Sequence, residues 1–250
     1  MVLVEQRDRI LIITINRPTA RNAVNAAVSR GLADAMDHLD EDPGLSVGIL
    51  TGAGGSFCAG MDLKAFARGE HVAIAGRGLG FTERPPAKPL IAAVEGFALA
   101  GGTEVALATD LIVAARDAVF GIPEVKRGLV AGGGGLLRLP ERIPYAVAME
   151  LALTGDNLPA ERAHELGLVN VLAEPGGALD AAIALAEKIT ANGPLAVAAT
   201  KRIIVSSRGW SPEEMWRKQL EILAPVFMSH DAKEGAIAFA EKRPPKWTGS

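Results

Sequence analysis

Ile91-Ala-Ala-Val-Glu-Gly-Phe-Ala-Leu-Ala-Gly-Gly-Thr-Glu-Val-Ala-Leu-Ala-Thr-Asp110 is the stretch around which the rest of the chain is arranged. Ile91 to Val94 is an apolar run of strand type, Glu95-Gly96 is a turn, and a small-residue segment leads into a helix that starts at Gly101-Gly102 and ends near Ala108. Glycine at 101 and 102 lets a ligand approach the backbone, because no Cβ stands in the way. The first amides of a helix have no internal acceptor and sit at its positive end, so they can hydrogen-bond an oxyanion. Glu104 is three residues past Gly101, close to one turn, so its carboxylate can share a face with that donor. The same residues also fit a plainer role: glycines for close packing, and a glutamate complementing the dipole of a first turn.

Upstream, Val2–Val4 and Ile10–Ile15 are expected to pair as a hairpin across a charged Gln6–Arg9 turn. Asn22 to Asp40 carries apolar residues at helical spacing (Val24, Val28, Leu32, Ala35, Met36, Leu39). Val47–Leu50 is a buried strand, and Ser56–Leu63 is a tight turn running into a short helix. Ala67 to Lys88 shows little periodicity and is expected to be a mobile or weakly helical loop. Downstream, Leu111–Ala115 and Ala118–Gly121 are short strands, Gly121–Val125 is a turn, and Val169–Leu172 is one late strand. Helices are expected over 146–153, 160–166, 179–190, 195–207, 212–228 and 232–241. Gly132–Gly135 lacks the Lys-Ser/Thr of a phosphate loop and the spacing of a dinucleotide fingerprint, which leaves close approach to a ligand or packing. The pattern is α/β, with strand–turn–helix units first and helices after. We divide it into an α/β core, residues 1–190, and a helical C-terminal region, residues 191–250.

The 250-residue, 26.0 kDa chain is long enough for one sizeable domain. It is 49% hydrophobic but only 4% aromatic, so Ala, Val, Leu and Ile must build its core. A net charge of −3 with interspersed signs argues against nucleic acid as the main partner. Cys58 is the only cysteine, which excludes an intrachain disulfide and a cysteine-based zinc cluster. His38, His71, His164 and His230 have no metal-ligand spacing and read as surface or capping residues, so no metal is expected. The charged start of the chain lacks a signal peptide's apolar run, and no stretch matches the ~20 apolar residues of a membrane span. A cytoplasmic protein with no membrane partner is expected.

Phe57-Cys-Ala-Gly-Met-Asp-Leu63, Gly96-Phe-Ala-Leu-Ala-Gly-Gly-Thr-Glu104 and Phe120-Gly-Ile-Pro-Glu-Val125 come in the order and at the separations of the crotonase superfamily, whose best-known members are the enoyl-CoA hydratases. The chain resembles that family along essentially its whole length, from Asn16-Arg-Pro18 to Ala238-Phe-Ala-Glu-Lys-Arg243. The resemblance implies a ClpP-like crotonase fold, a superhelix of β-β-α units with a helical C-terminal trimerisation region. It also implies a homotrimer, often paired into a hexamer.

The resemblance further implies that the backbone amides of Met61 and Gly101 clamp a thioester oxygen. Glu104 would activate water for attack on C3, and Glu124 would supply the C2 proton. Without the resemblance, Glu124 after Pro123 reads as a helix-start residue. The substrate's carrier would be coenzyme A, with no prosthetic group. Ala20, Arg21 and Ala23 match the segment beside its nucleotide end, and Ala59, Gly60, Met61, Asp62 and Leu63 match the turn touching pantetheine and adenine. Phe239 and Lys242 match a pair that reaches a neighbouring subunit's coenzyme A; the charges of Arg21 and Lys242 fit phosphate or plain surface equally. Met61 and Thr103 depart from the commoner residues there and are expected to reshape the acyl pocket.

Leu136-Leu-Arg-Leu-Pro140 and the C-terminal segment are also similar to carnitinyl-CoA dehydratase, which handles a trimethylammonium acyl group. An isomerase and a catalytically silent acyl-CoA binder are the remaining alternatives. The paired glutamates favour hydration over either.

Overall fold

The computed structural model describes residues 1–250. Its elements, in chain order, are β1 (Val2–Arg7), β2 (Ile10–Ile15), α1 (Ala26–Glu41), β3 (Val47–Gly52), α2 (Leu63–Ala67), β4 (Leu90–Val94), β5 (Phe97–Leu99), α3 (Gly101–Leu107), β6 (Leu111–Ala115) and β7 (Val119–Gly121). There follow α4 (Gly135–Arg142), α5 (Tyr145–Thr154), β8 (Asn157–Pro159), α6 (Ala160–Glu165), β9 (Val171–Ala173), α7 (Ala178–Thr190), α8 (Pro194–Ser207), α9 (Met215–Phe227) and α10 (His230–Glu241). Short 3-10 turns cover Pro18–Ala20 and Pro123–Arg127.

β1, β2, β3, β4, β6 and β9 form a six-stranded sheet in that order, parallel except for the β1–β2 hairpin. Its inner strands β2, β3, β4 and β6 are almost wholly apolar because both of their faces are covered. Leu11, Ile13, Ile15, Leu50, Ala92, Val94, Ile112 and Ala114 point into the larger core, which α1 and α3 also fill. Their neighbours Ile10, Ile12, Val47, Ile49, Ile91, Ala93 and Val113 face the other way, against Ala178, Ala182 and Ala186 of α7. Three alanines at helical spacing let α7 lie close to the strands. With few aromatics, this two-sided aliphatic packing is what closes the core.

A second, three-stranded sheet, β5-β7-β8, is made largely of turns from the first one. β4 leads through Glu95-Gly96 into β5 and then α3; β6 leads into β7 and then the 3-10 turn at Pro123. Two successive units thereby deliver Gly101, Glu104 and Glu124 to neighbouring places.

Several boundaries differ from the sequence expectations. β1 runs on to Arg7, leaving only Asp8-Arg9 as the turn; it is an edge strand with exposed side chains, where charge is tolerated. Three-residue β5 and β8 are too short to leave a period. α1 starts at Ala26 with Asn25 as its cap, accepting from Val28 N–H at 3.0 Å, because Asn22 is drawn into the core. Residues 68–88 contain no helix and are not loose: Val72, Leu79, Phe81 and Thr82 are buried, and Arg77 grips Asp37 at 2.6 Å. Leu136–Leu139 belong to a helix, α4, that the glycine run had obscured.

No helix is long and apolar enough to cross a membrane. α8 and α9 contain no fully buried residue, and α8–α10 expose Ile204, Val205, Trp216, Leu220, Phe227 and Phe239.

Candidate active site

Met61 is placed by a single parallel bridge to Val24: Val24 N–H donates to Gly60 O and Asp62 N–H donates to Val24 O, both at 2.8 Å. Alternation along an extended backbone then turns the Met61 N–H away from Val24. Asn22, wholly buried at φ +56, steadies the neighbourhood. It accepts from Arg17 N–H at 2.8 Å and donates to the carbonyls of Ala53 and Ser56 at 2.8 and 2.6 Å.

The second turn contains Ala100, at φ +52 and ψ −126, a conformation that L-residues rarely adopt. Its N–H donates to Gly121 O at 2.8 Å and its carbonyl accepts from Glu104 N–H at 3.1 Å, so strand β7 and helix α3 hold it there. The two turns touch where Gly60 meets Ala100; a Cβ on Gly60 would fall 2.7 Å from Ala100 Cβ. A Cβ on Gly101 would lie 3.5 Å from Met61 N. Neither Met61 N–H nor Gly101 N–H donates to any acceptor in the protein. Two free amides from different turns thus sit side by side, an arrangement able to hold one oxygen.

Glu104 is 3% exposed. Its Oε1 accepts from Gly133 N–H at 2.7 Å and Gly135 N–H at 2.9 Å, which leaves Oε2 free. A Cβ on Gly133 would come 2.8 Å from Oε2, and one on Gly135 would come 2.9 Å from Cγ. The glycine run is therefore a cradle for this carboxyl. Burial pushes the Glu104 pKa up, opposed by the two amides and by Arg138.

Glu124, in the 3-10 turn after β7, has a buried Oε2 with no hydrogen-bond partner. Burial raises its pKa as well, the charge of Glu104 adds to the rise, and Arg127 opposes it. Both glutamates, Met61, Gly101, Ala59 and Leu63 line one cavity of about 540 Å³, walled by Leu79, Leu99, Leu129 and Val130.

The remaining expected residues stand elsewhere. Gly60 and Asp62 belong to the same turn but do not line the cavity. Asp62 caps α2, accepting from Lys64 and Ala65 N–H at 3.1 Å, and pairs with Arg17 at 2.9 Å, which holds its carboxyl below the usual range. Arg21 is exposed, its guanidinium 5.9 Å from the centre of the Phe97 ring; its carbonyl accepts from Ala59 N–H at 3.0 Å, so Ala20, Arg21 and Ala23 run beside the turn. Phe239 and Lys242, on and just after α10, are exposed and do not line the cavity. Thr103 does not reach the pocket either: its buried hydroxyl binds Gly121 N–H at 3.0 Å and lies 2.8 Å from Gly121 O, joining α3 to β7. The four histidines are exposed, and His71 borders the cavity.

Asn22, Gly133, Gly135 and Leu79 are site-building residues that sequence reasoning did not single out. The glycine run was visible, but its partner, Glu104, is 29 residues away from Gly133.

A sequence model of the family described as Enoyl-CoA hydratase/isomerase matches residues 5–250. The chain belongs to that family. It is 46% identical to Enoyl-CoA hydratase EchA19 of Mycobacterium tuberculosis, over 98% of this chain and 95% of the relative. It is 45% identical to a Carnitinyl-CoA dehydratase of Salmonella arizonae, over 96% and 95%. Among solved structures, an enoyl-CoA hydratase from Mycobacterium tuberculosis is 86% identical with a TM-score of 0.99, covering 100% of this chain and 99% of the other. A carnitinyl-CoA hydratase from Mycobacterium avium is 46% identical with a TM-score of 0.79, covering 100% and 98%. The α/β crotonase fold with a helical C-terminal region is shared with these enoyl-CoA hydratase/isomerase family members, which are lyases by name.

Proposed function

We propose that this family member hydrates enoyl-CoA thioesters, adding water reversibly across the 2,3 double bond. The observation that carries the reading is the meeting, on one cavity, of two unpartnered amides and two carboxyls whose pKa values are raised. The amides of Met61 and Gly101 take the thioester oxygen. Each is worth a factor of ~10²–10³ in rate, because the charge they stabilise exists only once the double bond has been attacked.

The two glutamates divide the proton work by environment. Glu104, with two N–H donors on one oxygen, is the better anion and acts as base: it takes a proton as the water oxygen bonds to C3. The electron pair of the double bond moves onto the thioester oxygen as an enolate. Glu124, with no partner on Oε2 and a neighbouring negative charge, keeps its proton longer and delivers it to C2 as the enolate collapses. A pair of acids suits hydration better than the single-acid double-bond shift of an isomerase.

Coenzyme A is the proposed carrier. The turn over residues 59–63 and the adjoining Ala20, Arg21 and Ala23 would meet it, with Arg21 offering charge to phosphate. We also infer a homotrimer or a dimer of trimers. The exposed apolar side chains of α8–α10 support this, as does Phe239, 88% exposed in one chain, which could then reach a neighbour's ligand together with Lys242.

The test is loss of enoyl-thioester absorbance with crotonyl-CoA. Glu104→Gln and Glu124→Gln should each lower kcat at least ~10²-fold while still binding acyl-CoA. Variants that both stay near the parent rate would sink the assignment, and an inert parent that binds acyl-CoA would favour a silent binder. Carnitinyl-CoA dehydration is the second reading, favoured by the relatives of that name. Against it, Phe66 is the single Phe, Tyr or Trp lining the cavity, and of the two further acids there Glu70 is engaged with Ala26 N–H at 2.8 Å, which leaves only Glu83 to meet a cation. A higher kcat/KM for crotonobetainyl-CoA than for crotonyl-CoA would reverse the order.

A further inference from the structure

We infer that Leu79 sets specificity at the carbon beside the thioester carbonyl, restricting the enzyme to enoyl groups that carry hydrogen at C2. The inference rests on the hydratase reading of the site. Leu79 is 8% exposed and lies between Gly78 and Gly80, whose φ values of +60 and +94 form a tight turn. Its N–H donates to Thr82 Oγ1 at 3.0 Å, and the Thr82 carbonyl accepts from Arg138 Nη2 at 2.6 Å. A Cβ on Gly80 would fall 2.5 Å from Ser29 O, so the turn is also wedged against α1. The backbone beneath this side chain has little freedom to retreat.

One methyl, Leu79 Cδ1, meets both halves of the site. It lies 3.1 Å from the point that a Cβ on Gly101 would occupy, itself 3.5 Å from Met61 N. It also lies 3.1 Å from the corresponding point on Gly133, itself 2.8 Å from Glu104 Oε2. A thioester with its oxygen on the amides of 61 and 101 and its C3 facing Glu104 runs its first three carbons between those two places. Hydrogen at C2 passes the methyl; a methyl substituent there needs the space that Leu79 fills. Deeper acyl carbons meet other walls, so the restriction is local to C2.

The experiment compares kcat/KM for crotonyl-CoA and 2-methylcrotonyl-CoA in the full-length protein, its Leu79→Ala variant and its Leu79→Val variant. The parent should prefer crotonyl-CoA. Leu79→Ala should raise the ratio of 2-methyl to unsubstituted substrate about tenfold or more, the usual worth of one methyl in a pocket, with Leu79→Val intermediate. If Leu79→Ala fails to fold, the direction of the Leu79→Val change decides. A ratio within twofold of the parent's, with crotonyl-CoA still hydrated, overturns the role of Leu79 and leaves the hydratase reading intact. A parent with no activity on crotonyl-CoA overturns the site assignment and this inference with it.

Discussion

Gly133 and Gly135 touch Glu104 so closely that neither has room for a side chain without moving the carboxyl. Gly133→Ala should therefore lower kcat ~10²-fold by turning the proposed base, Glu104, off its line, with a smaller effect on KM, as steady-state kinetics will report. Both glutamates also leave a signature in stability. Because their pKa values are raised on folding, the native protein holds their protons to higher pH than the unfolded chain does. Wild-type stability therefore falls as pH rises from the ordinary glutamate range through the raised values, and is level above them. Gln at either position removes that loss. The Tm difference, variant minus wild type, should grow from pH 4 to pH 7 by thermal unfolding; a difference that shrinks would show that these carboxyls are not strained by burial.

At the scale of elements, two joints control where the site stands. Ala100 begins α3 from a backbone conformation that costs about 1–3 kcal/mol for a residue with a Cβ. Ala100→Gly should raise stability by about 1 kcal/mol after glycine's own entropic cost, and lower kcat through a less firmly aimed Gly101 amide. Denaturant unfolding and kinetics on the same variant test both halves. The other joint ties α8 to the strand ends. Lys201 Nζ donates to Asp110 Oδ2 at 2.6 Å and Lys88 O at 2.9 Å, while Asp110 Oδ2 also accepts from Leu90 N–H at 2.8 Å. Lys201→Met should cost about 2 kcal/mol by leaving Asp110 half-satisfied. Hydrogen exchange should quicken in α8 and at the start of β4 while β2 and β3 are spared.

At the scale of the molecule, α8–α10 carry their large apolar side chains outward, whereas α7 buries its alanines on the sheet. Surfaces of that kind on a monomer usually mark an interface. Sedimentation should give a mass near three or six times 26.0 kDa, falling to a single chain only with loss of C-terminal order. A monodisperse 26.0 kDa species with intact helices would remove the trimer from the account, along with the reach of Phe239 and Lys242 into a neighbour's site.

Composition and pattern were enough to assign the α/β class, the strands of the large sheet and most helices, because a strand buried on both faces reads as an unbroken apolar run and a helix buried on one face writes a period near four into the chain. The motifs at 57–63, 96–104 and 120–125 likewise marked Met61, Gly101, Glu104 and Glu124 without coordinates. Tertiary structure alone decided what surrounds them. Gly133 and Gly135 serve Glu104 across a gap of some thirty residues, Asn22 leaves its expected helix to pin the distant loop of Ala53 and Ser56, and Leu79 is fixed by a turn with no period. These contacts join residues far apart in sequence through single hydrogen bonds and touching methyls, and such contacts leave no repeat along the chain.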